Sequence, residues 1–181
     1  MAPAPTSKKD VDGVAQSLCL ACGLCCDGTI FARVKLKVDD DFRPLAAGGI
    51  EIFPEAHPPF FKLPCAAHKN CECTVYADRP GTCRNYRCLL LKRFMVGEIP
   101  QDEALQIIRT AVSLRDELKQ QMQAVFGTII WPRKDFIPAF RKRVTGSQSA
   151  EERKGYGHVF HKFMALRWWI NRYFGKIEKV P

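Results

Sequence analysis

Four cysteines fall within eight residues, in the run Cys19-Leu20-Ala21-Cys22-Gly23-Leu24-Cys25-Cys26, and five more follow between Cys65 and Cys88. Thiolates are soft ligands, and a C-x2-C-x2-C-C run brings several of them within reach of a metal ion or an iron–sulfur cluster. Side chains of adjacent residues diverge. Cys25 and Cys26 are therefore easier to place on two metals, or on two irons of one cluster, than on a single tetrahedral ion. Zinc would take four thiolates per site at ~2.3 Å and stay redox-silent, whereas an iron–sulfur cluster takes four thiolates and carries electrons. The C-x2-C-x2-C start is like that of a ferredoxin, but the x3-Cys-Pro that completes a ferredoxin run is missing. The balance tilts toward iron–sulfur over zinc.

No apolar leader stands behind Met1 to Gly13, and no run reaches the ~20 apolar residues of a membrane span. The expected compartment is the cytoplasm, where thiols stay reduced and bind metal more often than they form disulfides. An odd count of nine cysteines argues the same way.

The second block supplies Cys65-x7-Cys73, then Cys73-x2-Tyr76, Arg79-Pro80, Cys83-Arg84 and a last Cys88. Together with the first run this string resembles the CxxCxxCC cysteine-cluster family (YkgJ-like), described as zinc- or iron-chelating. The resemblance covers about Cys19 to Cys88. It implies eight metal ligands: Cys19, Cys22, Cys25, Cys26, Cys65, Cys73, Cys83 and Cys88. Cys71 lies outside the pattern, and Cys73 is preferred to it because Cys73 stands two residues before Tyr76. Flagellin lysine N-methylase is kin to the family, so protein-lysine methylation is the enzymatic alternative, although no methyl-donor site is legible. His68 is a minor candidate to replace a thiolate. Arg79 and Arg84 are expected to tie loops to carboxylates such as Asp78 or Asp27, and with Arg87 to offset thiolate charge.

The net charge of +9 is unevenly spread. From Gly127 to Pro181 there are twelve Lys/Arg against four Asp/Glu, with ten of the nineteen aromatics. Such a region suits an acidic protein or nucleic acid as partner, or forms a solvated basic face. A structural zinc module with a nucleic-acid-binding tail is the third reading. Trp131, Phe136 and Phe140 near Arg141-Lys142-Arg143 are candidates for stacking on bases, but the interleaved prolines argue against a regular helix there. The Asp39-Asp40-Asp41 run lacks EF-hand spacing and reads as a solvated turn. No P-loop, dinucleotide fingerprint, nucleophile elbow or zincin motif occurs.

The elements that must position the thiols follow from periodicity. Helical projection puts Cys19, Cys22 and Cys26 on one face with Cys25 to the side. Residues 29–38 alternate as a strand, with Ile30, Ala32, Val34, Leu36 and Val38 on one face; 49–53 and 60–63 are shorter strands. Ala46 to Gly49 reads as a flexible connection, and 65–88 is loop-rich and held by its ligands. Helices follow over 89–96, over a long stretch opened by Pro100 and stopped by Gly127, and after the capping box at Ser149. The last carries a stripe of Val159, Phe163, Leu166, Ile170 and Phe174. The expected fold is α+β: a flexible tail over 1–17, a cysteine-pinned domain over 18–96, and a helical, basic part over 97–181 packed on it.

Overall fold

Helix α5 (Gln101–Phe126) runs through the centre of the chain's larger core. Pro100 precedes it, Asp102 and Glu103 complement its positive end, and Gly127 ends it at φ 67°, a left-handed conformation that costs glycine little. The computed structural model describes residues 8–146 and 149–175 and shows an α+β architecture. Helix α5 packs on α7 (Ala150–Tyr173) and on α1 (Lys8–Cys22), and α1 also touches α4 (Leu89–Met95). Ser149 caps α7 by accepting a hydrogen bond from the Glu152 amide at 3.1 Å. All five residues of the expected α7 stripe are buried. Against them lie Ile107, Ile108, Ala111, Leu118 and Met122 of α5.

Two expectations about helices change. Residues 1–7 of the expected tail lie outside the described residues, but helix α1 already begins at Lys8, and Ala15 and Leu18 are in the core. An apolar face at i and i+3 gave this segment something to bury. The prolines after Gly127 do not prevent a helix either. A 3-10 turn (Arg133–Asp135) leads into α6 (Phe136–Gly146). Pro138 falls in its first turn, where a missing N–H leaves no hydrogen bond unmade. Phe136 is fully buried and stacks on Phe163 with centroids 4.1 Å apart.

The strands are shorter than the alternation predicts. β1 (Arg33–Lys35), β2 (Ile52–Phe53) and β3 (Phe60–Lys62) form an antiparallel sheet in the order β1-β3-β2, with Val34 and Ile52 both opposite Phe61. Leu36 is buried, but Val38 is almost wholly exposed. The chain turns at Asp40, whose carboxylate accepts from the Lys37 and Gly81 amides. Asp41 then caps α2 (Phe42–Ala47), so Ala46 and Ala47 belong to a helix rather than to a flexible link. A second, smaller core forms here from Leu36, Leu45, Ile50, Phe61, Leu63 and Ala67. The loop-rich segment contains a two-stranded hairpin of β4 (His68–Lys69) and β5 (Glu72–Cys73), then the short α3 (Gly81–Asn85). No helix among the described residues is long and apolar enough to cross a membrane.

Candidate metal centre

Helix α1 carries Cys19 and Cys22 one turn apart and then stops, because Gly23 adopts φ +61° and its amide bonds the Cys19 carbonyl at 3.1 Å. The chain leaves the helix in a tight turn, with the Cys26 and Asp27 amides both donating to the Gly23 carbonyl at 2.9 and 3.0 Å. This redirects the two adjacent cysteines. The helical projection grouped Cys26 with Cys19 and Cys22 and set Cys25 aside; the turn reverses the two.

Cys25 lies near Cys22, Cys88 and Cys19. Burial pushes its thiol well above the ordinary value, and the other three, with Cys26, would repel its charge. Burial likewise raises Cys22, with repulsion from Cys88 and Cys19. Cys88 caps helix α4, where its sulfur accepts from the Leu91 amide at 3.5 Å. Burial lifts its thiol to about 11, moderated by the Leu91 amide. Cys19 is the exposed member of this set, raised by desolvation and lowered by Arg87 and Arg79.

Cys26 faces a second set. Burial raises its thiol to about 12, followed by repulsion from Cys65, Cys83 and Cys73. Cys83 is also raised to about 12 by burial, then by Cys65 and Cys73. Cys65 is raised by burial too, and its amide donates to the Cys26 carbonyl at 2.8 Å. Helix α3 holds Cys83 in place through the Gly81 amide on Asp40 and the Thr82 hydroxyl on the Lys35 carbonyl, both at 2.7 Å.

The thiol–thiol interactions group Cys19, Cys22, Cys25 and Cys88 on one side and Cys26, Cys65, Cys73 and Cys83 on the other, with Cys25 and Cys26 also repelling each other across the two groups. Both groups line one cavity of about 610 Å³. Cys71 lines it as well, but it is exposed at the tip of the hairpin. No family model, curated protein or solved structure matches this chain. Among the described residues, no three His, Cys, Asp or Glu side chains converge closely enough to hold a single metal ion.

Among the described residues, the arginines of the second block make no ion pair with a carboxylate. The Arg79 guanidinium lies 3.6 Å over the Tyr76 ring and donates to the Tyr76 carbonyl; Arg84 donates to the Arg79 carbonyl, and Arg87 to those of Arg84 and Tyr86. Backbone carbonyls of these loops thus accept from the guanidinium groups locally. Asp27 is instead held by Arg115, 2.8 Å away, and its other carboxylate oxygen accepts from the Thr29 amide. Trp131 Nε1 donates to the Asp27 carbonyl at 2.6 Å, and Arg133 Nε to that of Thr29 at 2.9 Å. Of the residues read in the sequence as base-stacking candidates, Trp131 clamps the cysteine turn, Phe136 fills the core, and Phe140 stacks on Phe136 and Phe160. His158 and His161 are exposed on α7.

Proposed function

We propose that this chain is an iron–sulfur protein of the cysteine-cluster kind, holding two clusters and passing electrons or handling iron. Cys19, Cys22, Cys25 and Cys88 would hold one cluster, and Cys26, Cys65, Cys73 and Cys83 the other. The sorting of eight thiols into two fours around a shared cavity carries this reading. Four thiolates on one zinc ion must approach to about 3.8 Å of one another, as tetrahedral geometry on ~2.3 Å bonds requires. A cluster spreads its ligands, because each thiolate binds a different iron. Eight thiols around one cavity of about 610 Å³ leave room for the larger iron–sulfur group. Clusters supply one-electron chemistry when bound. The chain's own residues supply the arrangement. The peptide between Cys25 and Cys26 joins the two sets, and the exposed Cys19 brings the first to the surface. Arg87 and Arg79 stand near enough to Cys19 to offset part of the burial that raises its thiol.

The test is anaerobic purification followed by counts of iron, zinc and acid-labile sulfide, with a visible spectrum. About eight irons and about eight sulfides per chain are expected, the content of two four-iron clusters with four thiolates each. A colourless protein with two zinc ions would overturn the reading.

A further inference from the structure

His68 opens strand β4 and pairs across the hairpin with Cys73, a member of the second thiol set. Its ring lies against the first. A β-carbon on Gly23, between Cys22 and Cys25, would sit 2.9 Å from His68 Cε1 and 3.0 Å from Nε2. The imidazole thus stands between the two sets, in the wall of the cavity they share. Its Nε2 is buried and has no hydrogen-bond partner. Thr29 Oγ1 is the other buried side-chain polar atom in that state among the described residues, and Thr29 does not line the cavity.

A buried polar atom without a partner is costly and rare in a folded protein. In the wall of a thiol-lined cavity, such an atom calls for a partner within the cavity. We propose that His68 Nε2–H donates a hydrogen bond to a sulfur of the bound iron–sulfur group, as a ninth protein contact between the two clusters. This rests on the two-cluster reading above. Ligation is the poorer role for this imidazole, because eight thiols already complete two sets of four. A hydrogen bond to sulfur favours the reduced, more negative state and raises the reduction potential. Gly23 then has two tasks: it permits φ +61°, and it leaves room for the ring.

The full chain is purified anaerobically as wild type, His68→Phe and His68→Gln. Iron and sulfide are counted, and each protein is titrated with dithionite while the clusters are followed by electron paramagnetic resonance. The expected result is equal iron in all three, a lower potential for His68→Phe than for wild type, and a value between them for His68→Gln. Gly23→Ala, which pushes the ring aside, should move the potential in the same direction as His68→Phe. An unchanged potential in His68→Phe at full iron content overturns the proposal. So does loss of about half the iron, which would make His68 a ligand of one of the two clusters. Should His68→Phe fail to fold, the reduced wild type labelled with 15N-histidine decides by electron–nuclear double resonance. A weak nitrogen coupling of hydrogen-bond size supports the donor role, and no coupling, or a large one, overturns it. A wild-type protein without iron overturns both readings, whereas an unshifted potential removes only this one.

Discussion

The two thiol sets have the same number of sulfurs and different support. Cys22, Cys25 and Cys88 pack against the large core of α1, α4, α5 and α7, and the Leu89 amide ties the start of α4 to the Phe174 carbonyl at 3.0 Å. The second set hangs on short strands, a hairpin and a five-residue helix, over a core of six buried residues. Apolar burial at ~25 cal/mol per Å² stabilises the first arrangement before any metal arrives. The second buries less apolar surface around some twenty residues of loop, so on the proposed reading metal binding would supply much of its folding free energy. The first set is thus built by packing, and the second, on that reading, by its ligand.

Removing the metal should break the symmetry most visibly. After chelation under anaerobic conditions, hydrogen exchange is expected to lose protection across residues 65–86 and to retain it in α5 and α7. Uniform loss throughout the chain would show that both sets depend equally on metal. The next largest effect is expected at the clamp. Arg115 and Asp27 are mostly buried, with side chains 16% and 12% exposed, and they join the turn that splits Cys25 from Cys26 to the centre of α5. Arg115→Ala leaves the carboxylate uncompensated and should cost about 3 kcal/mol in urea unfolding. Asp27→Asn with Arg115→Ala should recover part of that loss. If the single variant were neutral, the turn would be held by Trp131 and Arg133 alone.

Much of the helical frame was legible because its signals are local. Pro100, Gly127 and the Ser149 box are read within one helical turn, and the α7 stripe repeats at a fixed period. The sequence left open whether adjacent Cys25 and Cys26 serve two metals or two irons of one cluster, and it did not show which thiols neighbour each. A projection over 19–26 assumes an unbroken helix, and Gly23 breaks it, so Cys25 and Cys26 exchange faces. The clamp on Asp27 was illegible because Arg115 lies 88 residues away and Trp131 lies 104 away. His68 was visible as a histidine among cysteines. What sets it apart is a buried nitrogen pressed against Gly23, and only tertiary structure brings those two together.

A pH series on the metal-free chain sharpens the contrast between the sets most finely. In the metal-free chain, burial raises the folded-state values of Cys22 and Cys25 furthest and that of Cys88 to about 11, against 9.0 for a solvated thiol. A raised folded value means the folded state holds its proton more tightly than the unfolded one. Stability is therefore full below about pH 9 and falls as pH rises toward the folded values, by at most about 1.4 kcal/mol per pH unit for each thiol. If the second set is unravelled without metal, Cys26, Cys65 and Cys83 titrate near the solvated value in both states and add nothing to that slope. Urea midpoints measured from about pH 8 to about pH 10 should then fall steeply in the metal-free wild type. Cys22→Ser should flatten the slope and Cys83→Ser should leave it unchanged. Equal flattening by the two variants would mean that the second set is folded without its metal. In the loaded protein the thiolates are already held by metal, so the same pH range should leave the midpoint nearly level.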